Sequence, residues 1–133
     1  MSGKAIAWYV LSNNADILAQ VPATNIYVGI PPMDFPLPAI SVSTITAASR
    51  NFVSMDSATY LWTERVQVTV STGTGTLKQL LIKLVATAMK SARGNVNGFD
   101  CDSILSAGIG PDMDDPATTI FEQSSDFIIR FNQ

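Results

Sequence analysis

Residues 60–76 read Tyr60-Leu61-Trp62-Thr63-Glu64-Arg65-Val66-Gln67-Val68-Thr69-Val70 followed by Ser71-Thr72-Gly73-Thr74-Gly75-Thr76. The first part alternates. Tyr60, Trp62, Val66, Val68 and Val70 share one face with Glu64, while Thr63, Arg65, Gln67 and Thr69 share the other. Period-two alternation of this kind predicts a strand in a sheet with one buried and one wet face. The second part is a turn that delivers the chain into a different period. Leu77, Leu80, Leu81, Leu84, Val85, Ala88 and Ala92 recur at the spacing of a single helical stripe, with Lys78, Gln79, Lys83, Thr87 and Lys90 assigned to the opposite side. Lys90 and Arg93 suit the negative end of that helix, and Gly94 is a natural stop.

Working outward, Ser2 is a plausible cap for a first helix through Leu11. Asn14 caps a short turn carrying Ile17, Leu18 and Val21, which Pro22 ends. Asn25–Gly29 reads as a brief strand, and four prolines between residues 31 and 38 make an irregular connection. Ile40–Thr46 alternates as a strand, whereas residues 47–59 lack a period and are expected to form a long loop. Phe99–Ile109 is expected as a strand in which Cys101 shares a face with Phe99 and Leu105. An acidic loop containing Asp112, Asp114 and Asp115 follows, and Thr118–Phe131 is the closing strand, with Phe121, Phe127, Ile129 and Phe131 inward. The expected fold is a single α+β domain spanning residues 1–133. It has one largely antiparallel sheet, element order α-β-β-β-α-β-β, and two helices packed on one face.

Composition excludes several functions. The chain has 133 residues, no histidine and a single cysteine, Cys101. An internal disulfide, a Cys/His zinc site and every histidine-based triad are therefore unavailable. Net charge is −3 with a pI near 4.6, and the eight lysines and arginines are scattered, which argues against a primary nucleic-acid partner. Mean hydropathy is +0.23 and only 14% of residues are charged, yet no apolar run approaches the ~20 residues of a membrane span. The short apolar run behind Lys4 lacks a good cleavage site and argues against a secretion signal. Low charge in a chain without a membrane segment fits equally a surface hidden in an assembly and a surface merely rich in serine and threonine.

Candidate sites are weak. Thr72-Gly73-Thr74-Gly75-Thr76 has neither the lysine of a phosphate loop nor the third glycine of a dinucleotide fingerprint, and reads as a helix entry. Asp112, Asp114 and Asp115 lack the spacing of a calcium loop and read as a solvated loop. Glu64, on the apolar face of its strand, is expected to pair with a nearby lysine or arginine. Trp8 and Trp62 read as core or interface aromatics. We expect no catalytic, cofactor-binding or metal site.

Three segments in order resemble the tail terminator (tail-completion, or neck) proteins of tailed bacteriophages. The first is an N-terminal helix leading to Asn25-Ile26-Tyr27-Val28-Gly29, a proline-rich stretch and Pro38-Ala39-Ile40-Ser41-Val42. The second is Glu64-Arg65-Val66-Gln67-Val68-Thr69-Val70 followed by a turn and the long helix. The third is Gly110-Pro111 with the acidic loop, ending in Ser125-Asp126-Phe127-Ile128-Ile129-Arg130-Phe131. The likeness lies in order, spacing and length over nearly the whole chain. It departs at residues 47–59 and in the low charge of the long helix.

The resemblance implies a non-enzymatic virion subunit, assembled in the host cytoplasm. It would form a homo-oligomeric ring, usually a hexamer, at the head-proximal end of the tail tube. Its implied partners are itself, the tail tube protein and a head-connector or stopper protein. DNA would pass through the lumen without being read, and no membrane or cofactor is implied. Arg50, Asn51, Phe52, Val53 and Met55 are expected to act as an arm reaching a neighbour or the tube, the alternative being that Phe52 and Met55 fold back onto their own sheet. Asp112, Asp114 and Asp115 are expected to face the lumen. Another head–tail joining subunit of the same fold is the alternative. A small ligand-binding or enzymatic α+β domain is a third reading, which converging polar groups in a pocket on the wet sheet face would favour.

Overall fold

The computed structural model describes residues 2–50, 61–96, 98–115 and 117–132, with backbone alone for Ser2, Ser49 and Arg50. Three helices flank one six-stranded sheet: α1 (Ser2–Ser12), α2 (Ala15–Leu18), β1 (Ile26–Val28), β2 (Ala39–Arg50), β3 (Leu61–Thr72), α3 (Gly75–Lys90), β4 (Gly94–Val96), β5 (Phe99–Ile109) and β6 (Phe121–Asn132). The spatial order is β1-β2-β3-β6-β5-β4. Every neighbouring pair is antiparallel except β1 with β2, which run parallel, so the sheet is mixed.

The alternation in β3 does what its residue types dictate. Val66, Val68 and Val70 are buried, and opposite them on β6 stand Phe127, Ser125 and Gln123. Phe127, Ile129 and Phe131 complete the inward face of β6, and Ile40 and Val42 that of β2. This face is covered by Ile6, Ala7 and Leu11 of α1, Ile17 of α2, and Leu81, Ile82, Val85, Ala88 and Met89 of α3. Local chemistry starts the helices as expected. Asn14 Oδ1 accepts from Ile17 N–H at 3.1 Å, and Thr74 Oγ1 accepts from Leu77 N–H at 3.3 Å, each satisfying an orphan donor of a first turn. Trp8 Nε1 donates to the Ile26 carbonyl at 3.0 Å and so ties α1 to β1.

Several expectations are corrected. The buried stripe of α3 is rotated from the one predicted: Leu80 is 41% exposed, while Ile82 and Met89 are buried, and so is Lys78, which the pattern assigns to water. The strand before the proposed loop does not stop at Thr46. It continues through Arg50, paired with Leu61–Arg65 after a bulge at Ile45. Ala47 and Ala48 are exposed, so pairing with β3, and not burial, holds this stretch. Strand β4 and helix α2 add to the predicted order. A further bulge at Asp102 places two residues against one on β6. It reverses the alternation of β5, so Cys101 and Ile104 are buried while Leu105 faces out.

Candidate assembly surface

Helices cover one face of the sheet, and among the described residues the other is bare. Across β2, β3 and β6 the bare face presents Ser41, Ser43, Thr63, Arg65, Gln67, Thr69, Ser124, Asp126, Ile128 and Arg130, in the registers Ser41–Thr69–Ser124 and Ser43–Gln67–Asp126. The hydroxyls of Thr69 and Ser124 hydrogen-bond to each other at 2.9 Å. Arg65 Nε and Nη2 both donate to one oxygen of Asp126, at 3.0 and 2.8 Å. This exposed pair neutralises itself and contributes at most ~1 kcal/mol to stability. A depression of about 390 Å³ lies at the far end, lined by Ala48, Leu61, Thr63, Asp102 and Arg130. All five are wholly or partly exposed. They bring one acid and one base together without the buried, converging polar groups that a ligand site needs.

Glu64 is the exception to the apolar inner face. It is 0% exposed and accepts from Thr44 Oγ1 at 3.0 Å, while Oε1 has no partner among the described residues. The expected lysine or arginine partner is absent among the described residues. The carboxylate lies instead over the first turn of α1: a Cβ added to Gly3 would overlap it. A carboxylate there meets the positive end of the helix dipole, and glycine is what lets it approach.

The acidic loop is pinned to the start of α3. Lys78 Nζ donates to Asp112 Oδ1 at 2.7 Å and to Asp114 Oδ1 at 2.9 Å. These two hydrogen bonds raise the lysine's pKa above its ordinary 10.5, against the opposing effect of burial. Asp115 closes the loop differently, its N–H donating to the Ile120 carbonyl at 2.9 Å and its carboxylate accepting from Ala117 N–H at 3.0 Å. Sequence periodicity missed Lys78 because a lysine stem packs as a hydrophobe while its head finds charge at the rim. All three aspartates stay exposed. Of the proposed arm, Arg50 ends β2, and Asn51, Phe52, Val53 and Met55 lie outside the described residues. Cys101 is 2% exposed, and burial, followed by the nearby Asp102 and Asp100 charges, pushes its thiol pKa up.

A second concavity, of about 380 Å³, runs between α3 and the outer edge of β5. It is lined by Ala86 and Lys90 on one side and Ile104, Leu105, Ser106 and Phe127 on the other. This lining is mostly apolar.

No family model matches the chain, and no curated protein matches it. Among solved structures, a chain of the "Virion of native gene transfer agent (GTA) particle" is similar at 16% identity, with a TM-score of 0.68, over 98% of this chain and 94% of that one. At that identity and near-complete mutual coverage, the two chains share a fold: this sequence folds as a component of that virion does.

Proposed function

We propose that this chain is a structural, non-enzymatic subunit of a phage-like virion, acting as a tail terminator. In this reading it forms a ring of six copies at the head-proximal end of the tail tube. There it stops tube growth and offers the surface on which the head connector docks, with DNA passing through the lumen. The observation that carries the reading is the fold likeness to a virion chain over almost the full length of both. Two features of the surface agree with it. The chain has few charges, and its open sheet face is mostly uncharged, with Arg65 and Asp126 paired to each other. The loop at Asp112–Asp115 keeps exposed carboxylates that would repel DNA phosphates and so favour sliding over sticking.

The test is the length distribution of tubes polymerised from the cognate tail tube protein with and without this chain. Tubes of limited length with this protein at one end are the expected result. Unrestricted growth with no end-bound density overturns the terminator role.

A further inference from the structure

The sheet is left unfinished at both ends. On one side β1 pairs only with Ile40–Val42 of β2, and the Gly29 N–H to Val42 carbonyl bond is the last one it makes. Among the described residues, 43–50 of β2 therefore carry an open edge. On the other side β4 pairs only with Phe99–Cys101 of β5, which among the described residues leaves 102–109 open. The two open stretches match in length. Neither contains the proline or lysine that guards a free edge, although bulges at Ile45, Asp102 and Ala107 interrupt them. Apolar side chains stand out along both: Ile45 is 47% exposed, Leu105 52% and Ile109 59%. Ile30, just past the end of β1, is 95% exposed.

Strand directions make the two edges complementary. β2, β3, β6 and β5 alternate without a break, so β2 and β5 run in opposite senses. A β2 from a second copy laid against β5 continues the antiparallel pattern. That arrangement brings the end of β2 beside Asp102 at the start of the open stretch of β5. It also brings the Ile30 and Ser43 end beside Ile109, so apolar side chains meet at that end. Pairing β5 with another β5 antiparallel would instead set the acidic start of one strand against the apolar end of the other.

We infer that copies of this chain join head to tail by strand addition, the free edge of β2 in one copy adding to the free edge of β5 in the next. The groove of Ala86, Lys90 and Ile104 beside β5 receives inward-facing side chains of the added strand. A contact made by two different surfaces repeats with a fixed rotation and closes into a ring when that rotation divides a full turn. The inference rests on the ring reading above and supplies its contact.

The test uses the full chain in a Cys101→Ala background, carrying either Ala48→Cys or Leu105→Cys, two exposed positions on the bare sheet face. Under mild oxidation the mixture of the two proteins is expected to form a disulfide-linked dimer that neither forms alone. Leu105→Lys and Ile45→Lys, both at exposed sites, are expected to leave thermal unfolding unchanged and to reduce the assembled fraction at least tenfold. Assembly that persists in both lysine variants, without the mixed crosslink, overturns the edge contact and leaves the ring standing. Crosslinking of the Leu105→Cys protein with itself shows a symmetric β5 pair and also overturns it. A wild-type chain that stays monomeric at every concentration, with and without tube protein, overturns ring and contact together.

Discussion

Glu64 and Gly3 form one unit, since the carboxylate reaches the first turn of α1 only because residue 3 has no side chain. Gly3→Ala, a helix-favouring change on propensity alone, is therefore expected to destabilise by about 1–3 kcal/mol through overpacking. Chemical denaturation measures this, and a stabilised variant would show that the carboxylate moves aside freely. On α3 two adjacent leucines separate surface from core. Leu81→Ala is expected to cost about 2–5 kcal/mol and Leu80→Ala under ~0.5 kcal/mol. Equal losses would contradict the observed rotation of the helix. Cys101 is expected to resist alkylation at pH 8 while the chain is folded, because burial raises its pKa and blocks access, and to react at once in denaturant. Rapid labelling of the native protein would refute its placement.

At the scale of elements, Lys78 decides the position of the loop at residues 110–116. Asp112 and Asp114 remain hydrated, so replacing Lys78 leaves no buried unpaired charge. Lys78→Met is thus expected to change global stability by less than about 1 kcal/mol. It should accelerate amide exchange at Met113 and Asp115, whose N–H groups donate to Glu122 and Ile120. Because the folded pKa of Lys78 is raised, its stabilising contribution is complete below the ordinary lysine value of 10.5. It is lost as pH climbs through the raised value, so the wild type and Lys78→Met should converge only at strongly alkaline pH. Exchange at those two amides that is unchanged by the substitution would mean the loop is held by its backbone alone.

The same elements show what the sequence made legible. β3, α3 and β6 are readable because their burial is one-sided and their periods are clean. Residues 47–50 look like loop in the sequence because Ala, Ala, Ser and Arg show no alternation, and cross-strand hydrogen bonding leaves no trace in hydropathy. Bulges are likewise silent, so the reversal at Asp102 that turns Leu105 outward could not be foreseen. Three-residue β4, entered through Gly94 at φ 77°, is too short to carry a period at all. The candidate aspartates were visible as a cluster, but their lysine partner was hidden inside a helical stripe.

For the molecule as a whole, the proposed ring assigns to neighbouring copies the sheet face and strand edges that are uncovered among the described residues, and the scarcity of charge agrees with that proposal. The fold likeness to a virion chain is its main support. Native mass spectrometry of the purified protein, alone and after addition of the tail tube protein, tests this most directly. The account predicts a single closed species of fixed copy number, six, present in at least one of the two samples. A monomer in both, or an open-ended ladder of sizes without a preferred closure, would contradict it.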